Sequence, residues 1–212
     1  MKITKLGHCA LVLEEKGVKI LTDPGSFTIE AQASVTGLNA IVITHEHQDH
    51  FHVESVEALL KTNPQAKIIS NASVAKLLAE KGMQCEIVGD GQSTMLKGIS
   101  IEGFGKDHAP IYEMMGLVEN TAYLIGNKLY FPGDNFHNPQ KKVDVLALPV
   151  AGPWMKISMA IDFAKAIKAR SAFCVHDGMI VPAFRGFTPM LLKMFVPETE
   201  FVALQDGEMK EW

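Results

Sequence analysis

Cysteine is scarce in this chain. Cys9, Cys85 and Cys174 are the only three in 212 residues. An odd count without paired spacing argues against a disulfide framework and against a Cys-rich zinc site. Reduced thiols in a cytoplasmic protein are the simpler reading. Long hydrophobic runs are missing as well. No apolar stretch approaches the ~18 residues of a membrane span, and the start Met1-Lys2-Ile3-Thr4-Lys5-Leu6-Gly7-His8 lacks the apolar core of a signal peptide. No membrane partner is expected. There is no basic tract, and the formal net charge is −4, which argues against a nucleic-acid partner. Low-complexity tracts, long linkers and internal repeats are absent too.

What remains is globular composition, 47% hydrophobic and 21% charged. The length suits one well-filled core, so a single domain over residues 1–212 is expected. Short strands are expected at Ile3–Leu6, Ala10–Leu13 and Lys19–Thr22, the last two joined by a turn at Glu15-Lys16-Gly17. The β-branched run Ala40–Thr44 has the pattern of a buried strand. A helix is expected at Val53–Lys61, a strand at Lys67–Ser70, and a helix over Ala72–Lys81 capped by Asn71 and ended by Gly82. Strands follow at Glu86–Val88, Ile99–Phe104, Ala122–Ile125, Lys128–Phe131 and Val145–Pro149, with a tight turn at Gly126-Asn127. Ile157–Lys168 carries apolar residues at helical spacing. Then come the strand Ala172–Val175, a helix near Pro189–Phe195, and the strands Phe201–Ala203 and Glu208–Glu211. Strand groups interleaved with a few helices imply two packed sheets with helices outside.

The chemistry concentrates in Thr44-His45-Glu46-His47-Gln48-Asp49-His50, where a hydrophobic strand gives way to a loop. Alternate residues of an extended segment point the same way, so His45 and His47 can serve one ion. Asp49 and His50 lie past the bend and can face a second. Imidazole and carboxylate suit Zn, Mn, Fe or Ni. Four residues cannot complete two coordination shells. His108, Asp134 and His176 each follow an apolar strand, as His45 does, and supply the missing donors.

In this order the residues resemble the metallo-β-lactamase superfamily, with its His-x-His-x-Asp-His motif followed by a later His, an Asp and a final His. Leu6-Gly7-His8 together with Ile20-Leu21-Thr22-Asp23-Pro24 resembles the small branch containing ascorbate-6-phosphate lactonase-like proteins. The resemblance implies an α/β fold of the four-layer αββα type. It implies one ion on His45, His47 and His108, another on Asp49, His50 and His176, and Asp134 bridging them. It also implies that Asp23 orients a ligand histidine. Gln48, Asn135 and Asp177-Gly178-Met179 fall where the family varies, at places that bear on substrate choice.

The expected function is metal-dependent hydrolysis of a lactone, ester or amide bond in a small molecule. Two divalent ions, foremost Zn, would hold a hydroxide that Asp49 orients. Phosphodiester cleavage and a non-catalytic metal-binding role are the alternatives, and a homo-oligomer is compatible with the sequence. His8 and His137 are candidate proton donors to a leaving group, each weighed against an ordinary structural histidine. Arg185 and Lys106 are candidates for binding an anionic group, against solvated loop charges. Trp154 either walls a pocket or packs. His52 reads as a helix-entry residue. Cys9 neighbours His8, but side chains adjacent on a strand point apart, so a Cys–His catalytic pair is discounted.

Overall fold

A computed structural model describes residues 1–212. Its elements run β1 (Lys2–Gly7), β2 (Ala10–Glu15), β3 (Val18–Thr22), α1 (Ile29–Ala33), β4 (Ala40–Val42), α2 (Val53–Thr62), β5 (Lys67–Ser70), α3 (Ala72–Glu80) and β6 (Glu86–Ile87). The second half continues with β7 (Ser93–Leu96), β8 (Ile99–Phe104), β9 (Ala122–Ile125), β10 (Leu129–Phe131), β11 (Val145–Pro149), α4 (Ile157–Ile167), β12 (Ser171–Val175), α5 (Phe187–Phe195), β13 (Glu200–Val202) and β14 (Met209–Glu211).

The strands form two seven-stranded sheets, ordered β14-β1-β2-β3-β4-β5-β6 and β13-β12-β11-β10-β9-β8-β7. Each is antiparallel in one part and parallel in the other. In the first, β3 through β6 run parallel. In the second, β10 through β13 do. Ile3, Leu13, Ile20 and Val42 face Ile101, Tyr123, Phe131, Val145 and Phe173 across the gap between the sheets. Burial of such side chains is the main force holding the sheets together. Val56 and Leu59 of α2, with Val74 and Leu78 of α3, cover Ile41 and Ile68 on the outer face of the first sheet. Ala160, Phe163 and Ile167 of α4 and Leu192 of α5 cover Leu146 and Ala172 of the second. The layers are therefore helix, sheet, sheet, helix, as expected. No helix is long and apolar enough to cross a membrane.

Local departures from the sequence reading have local causes. Strand β4 ends at Val42 and not Thr44, because the Thr44 N–H turns to Asp23 Oδ1 at 2.8 Å and leaves the ladder. Helix α1, five residues long, is too short to show a period. Strand β7 is a largely exposed edge strand and lacks the apolar alternation that marks a half-buried one. The pairing of β14 with β1, which brings the two ends of the chain together, is a long-range contact that no local pattern encodes. Asn71 caps α3 as expected, accepting from the Val74 N–H at 3.1 Å.

Candidate metal centre

The parallel strands point their carboxyl ends to one edge of the sandwich, where open α/β sheets commonly place ligands. Asp23 follows β3, His45 follows β4, Asp134 follows β10 and His176 follows β12. His108 follows β8 on the same side. The chain reverses sharply at several of these points. Asp23, His8 and His176 have φ of 37°, 46° and 56°. Gly25 lies so close to the Asp49–His50 backbone that a Cβ there would meet Asp49 O at 1.8 Å. Any side chain at Gly25 would push the ligand loop away.

Two groups of converging donors result: His45, His47, His108 and Asp134, and His8, Asp49, His50 and His176. In the first, His45 Nε2 lies 3.2 Å from His47 Nδ1, and His108 Nε2 lies 3.3 Å from Asp134 Oδ2. In the second, His176 Nε2 is 3.4 Å from Asp49 Oδ2. Asp134 touches both groups, with Oδ1 3.2 Å from His50 Nε2 and Oδ2 3.0 Å from His176 Nε2.

Several observations fit these residues to divalent metal ions. Bonds of about 2.0–2.1 Å at tetrahedral angles put neighbouring donors about 3.3 Å apart, close to the separations seen. His50 Nε2, Asp134 Oδ1 and His176 Nε2 are buried without a hydrogen-bond partner, a costly arrangement unless a cation compensates. Tautomers also agree. Thr44 Oγ1 donates to Asp23 Oδ2 at 2.7 Å, so it accepts from His45 Nδ1–H at 3.0 Å. His50 Nδ1–H donates to Asp23 Oδ2 at 2.7 Å. His108 Nδ1–H donates to Ala109 O. With these protons on Nδ1, each of the three rings can offer Nε2 to an ion, which for His50 must first displace the proton that Asp134 favours there.

The electrostatics match this reading. Burial holds His45 well below the ordinary histidine value and His47 below it, the neutral ligand form. Burial opposes charge on Asp134 and Asp49, yet the surrounding histidines outweigh it and keep both carboxyls below their usual range. Burial also disfavours a proton on His50 and His176, but Asp134, helped by Asp23 for His50 and Asp49 for His176, raises both above their usual value. The buried carboxylates demand positive charge, and protons or metal ions can supply it.

All seven expected ligand residues and Asp23 meet here. Asp23 serves two histidines of the donor groups, His50 directly and His45 through Thr44. His8 joins the second group, with its ring 4.1 Å from that of His176 and 4.7 Å from Phe27. His137 does not join either group. It is exposed and lies against Gly105. Lys106, Gln48 and the half-buried Asn135 also belong to neither. Arg185 pairs with Asp206 at 2.9 Å. His52 sits at the N-cap position of α2 without bonding a backbone N–H from its side chain, and its ring lies 2.9 Å from Ser55 Oγ. Cys9 is buried with a thiol pushed up by that burial, so it is no nucleophile.

The sequence reading missed three contributors. Trp154, taken as a wall or packing residue, donates its indole N–H to Asp134 Oδ2 at 2.7 Å. It folds back over Gly152, where a Cβ would meet the indole nitrogen at 2.6 Å. Asn120 Oδ1 accepts the Asp134 N–H at 3.1 Å. Lys5 is buried on the same face of β1 as Ile3, and its ammonium pairs with Asp177 at 2.6 Å. That pair ties down the residue after His176. A lysine at a core-facing position of β1 was the one signal available in the sequence.

The sandwich and its paired donor groups define a protein of the metallo-β-lactamase fold. Residues 2–176 match the family model described as a β-lactamase superfamily domain, and the chain belongs to that family, within the metallo-β-lactamase superfamily. It is 36% identical over 191 residues to protein Rv0786c of Mycobacterium tuberculosis, covering 88% of each chain. It is 38% identical over 98 residues to a UPF0173 metal-dependent hydrolase of Flavobacterium johnsoniae, covering 44% of this chain and 42% of that one. Among solved structures it resembles Igni18, a metallo hydrolase from Ignicoccus hospitalis. The TM-score is 0.79 at 22% identity, over 100% of this chain and 98% of that one.

Proposed function

We propose that this protein is a metal-dependent hydrolase that uses two divalent ions, Zn foremost, to cleave a lactone, ester or amide bond in a small molecule. The observation that carries the reading is Asp134, whose carboxylate lies 3.3 Å from His108 of one donor group and 3.2 and 3.0 Å from His50 and His176 of the other. A single carboxylate shared between two sets of imidazoles is the arrangement of a bridging ligand. His45, His47 and His108 would hold one ion and Asp49, His50 and His176 the other. Ions bound there supply Lewis acidity and draw the pKa of a coordinated water toward neutrality. The chain's own residues fix the geometry. Asp23 and Thr44 lock two imidazoles, Trp154 and Asn120 fix Asp134, and His8 holds Asp49. The lactone preference follows the likeness of Leu6-Gly7-His8 and Ile20–Pro24 to the lactonase-like branch.

The test is a panel of lactones, esters, amides and phosphodiesters, assayed with metal content measured in parallel. Hydrolysis of a carbonyl substrate that disappears on chelation and returns with Zn, Mn, Fe or Ni is the expected result. Turnover restricted to phosphodiesters would transfer the site to the alternative reaction. Two bound ions with no turnover of any class would favour a non-catalytic metal-binding role.

A further inference from the structure

Lys5 is the one lysine or arginine that the fold buries. It shares the inward face of β1 with Ile3, and its Nζ lies 2.6 Å from Asp177 Oδ2 and 3.4 Å from Asp206 Oδ1. Replacing a buried ion pair by apolar side chains of similar volume often costs no stability. Stability alone therefore does not account for a lysine at this position. Asp206 has a second cation, Arg185, at 2.9 Å. Asp177 has none. Its Oδ1 is buried without a hydrogen-bond partner, so Lys5 is the only tie on its side chain.

Asp177 lies in the turn that leaves β12 at His176. That turn is strained. His176 has φ of 56°, a left-handed conformation that a non-glycine residue keeps only where its surroundings fix it. The end of β1 grips the turn at three consecutive residues. The His176 N–H donates to His8 O at 3.1 Å, the Lys5 ammonium holds the Asp177 carboxylate, and the Gly178 N–H donates to His8 Nδ1 at 3.3 Å. Gly178 comes so near that a Cβ there would meet His8 Nδ1 at 2.9 Å.

The Gly178 bond has a chemical consequence. It occupies the Nδ1 lone pair and leaves the proton of the neutral ring on Nε2, 3.1 Å from Asp49 Oδ2. The opposite tautomer would set two donors against each other at Gly178 and turn a lone pair toward the Asp49 carboxylate. If Gly178 moves away from the ring, that preference is lost.

We infer that Lys5 is a positioning residue of this centre: by holding Asp177 it keeps the Gly178 N–H on His8 Nδ1, which keeps the His8 proton on Nε2 and Asp49 oriented. The consequence for turnover rests on the hydrolase reading above. The consequence for His8 does not.

The experiment compares the wild-type protein with Lys5→Met and with Asp177→Leu, which removes the acceptor and leaves Lys5 paired with Asp206. Two-bond proton–nitrogen NMR of the histidine rings reads the tautomers, on the zinc-loaded protein and again after chelation. Hydrolysis of nitrophenyl acetate and zinc content are measured beside it. The wild-type protein should show His8 as the Nε2–H tautomer alone. Both variants should show a mixture of tautomers, keep their zinc and lose about tenfold in kcat with KM within about twofold, the lower end of what losing a group behind a ligand costs. Added to His8→Ala, Lys5→Met should cost no further rate, because both act along one path. A single Nε2–H tautomer in both variants overturns the inference, even where the rate or the melting temperature falls. An undiminished loss of rate in the His8→Ala background overturns it as well. If Lys5→Met does not fold, the Asp177→Leu tautomers decide. If nitrophenyl acetate and the substrate panel are not turned over, the hydrolase reading fails by itself, and the tautomers decide the role of Lys5.

Discussion

His8 Nε2 lies 3.1 Å from Asp49 Oδ2, while its Nδ1 lies 3.3 Å from the Gly178 N–H. A backbone N–H can only donate, so Nδ1 carries the lone pair. Burial keeps His8 below the ordinary histidine value, hence neutral near pH 7. The single ring proton is therefore on Nε2 and is donated to Asp49. His8 stands inside the second donor group, but with a proton on Nε2 it is placed to orient Asp49 and not to bind an ion. The backbone supports this placement, because the His176 N–H donates to His8 O at 3.1 Å.

Replacing His8 should then leave metal content unchanged and slow turnover. His8→Ala is expected to keep both ions and lose ~10–100-fold in kcat, the usual cost of removing a group that orients a ligand. His8→Gln, whose amide can still donate, should recover part of the loss. His137→Ala, at an exposed site outside both groups, serves as the contrast and should stay within about twofold of wild type, as surface changes usually do. Metal analysis beside steady-state kinetics decides the matter. Loss of one ion in His8→Ala would make His8 a ligand.

Asp134 should be the most sensitive position for metal. Its carboxylate touches His50, His108 and His176 at 3.0–3.3 Å, so Asp134→Ala should release more metal than His108→Ala or His176→Ala. Trp154→Phe removes only the 2.7 Å indole bond to Asp134. A hydrogen bond to a charged group contributes about 1.5–3 kcal/mol, so the variant should bind ions roughly ten- to a hundredfold more weakly while keeping the fold. Chelator competition measures both, and full occupancy in Asp134→Ala would end the bridging role.

Asp23→Asn tests whether the buried carboxylate acts through the histidines. Asp23 accepts from the Thr44 N–H, the Thr44 hydroxyl and His50 Nδ1–H. An amide keeps one oxygen and turns an NH2 toward a donor, so one of these bonds is lost. Metal affinity should fall ~10–100-fold, with both ions weakened because His45 is reached through Thr44. Titration with each metal under chelator buffering gives the answer. Wild-type affinity would leave Asp23 with only the turn before Pro24-Gly25.

The candidate ligands were legible because the sequence writes them locally. His45, His47, Asp49 and His50 fall within six residues, and His108, Asp134 and His176 each follow an apolar strand. The sheets were legible where strands alternate or run apolar, and α3 where Asn71 and Gly82 punctuate it. The rest depends on contacts between distant segments. Trp154 looks like any aromatic until Gly152 lets it turn toward Asp134. Asn120 is an ordinary polar residue until Gly133 brings the Asp134 N–H to it. His8 was visible as a candidate, but its role follows from Gly178, 170 residues away. His137 sits three residues after Asp134, yet the chain carries its ring outward onto Gly105.

Metal uptake should release protons, and the two donor groups should differ in how many. In the metal-free protein, burial opposes charge on His50 and His176, but their carboxylate neighbours outweigh it and raise both above the ordinary value. A raised value means that each ring keeps its proton to a higher pH than an ordinary histidine does. An ion must displace it, so affinity at this group climbs as pH rises through the histidine range and beyond. His45 and His47 are held low by burial and are already neutral at pH 7. Ion binding there should release few protons from them at pH 7. Calorimetry of Zn binding in buffers of different ionisation enthalpy counts the released protons. The wild-type protein should release more protons at pH 7 than a His50→Ala/His176→Ala variant that retains the first group, since each ligand must lose its proton to bind. Equal proton release by the two proteins would mean that His50 and His176 are neutral before the metal arrives. The carboxylates would then not hold those protons, and the charge argument for the second ion would fail.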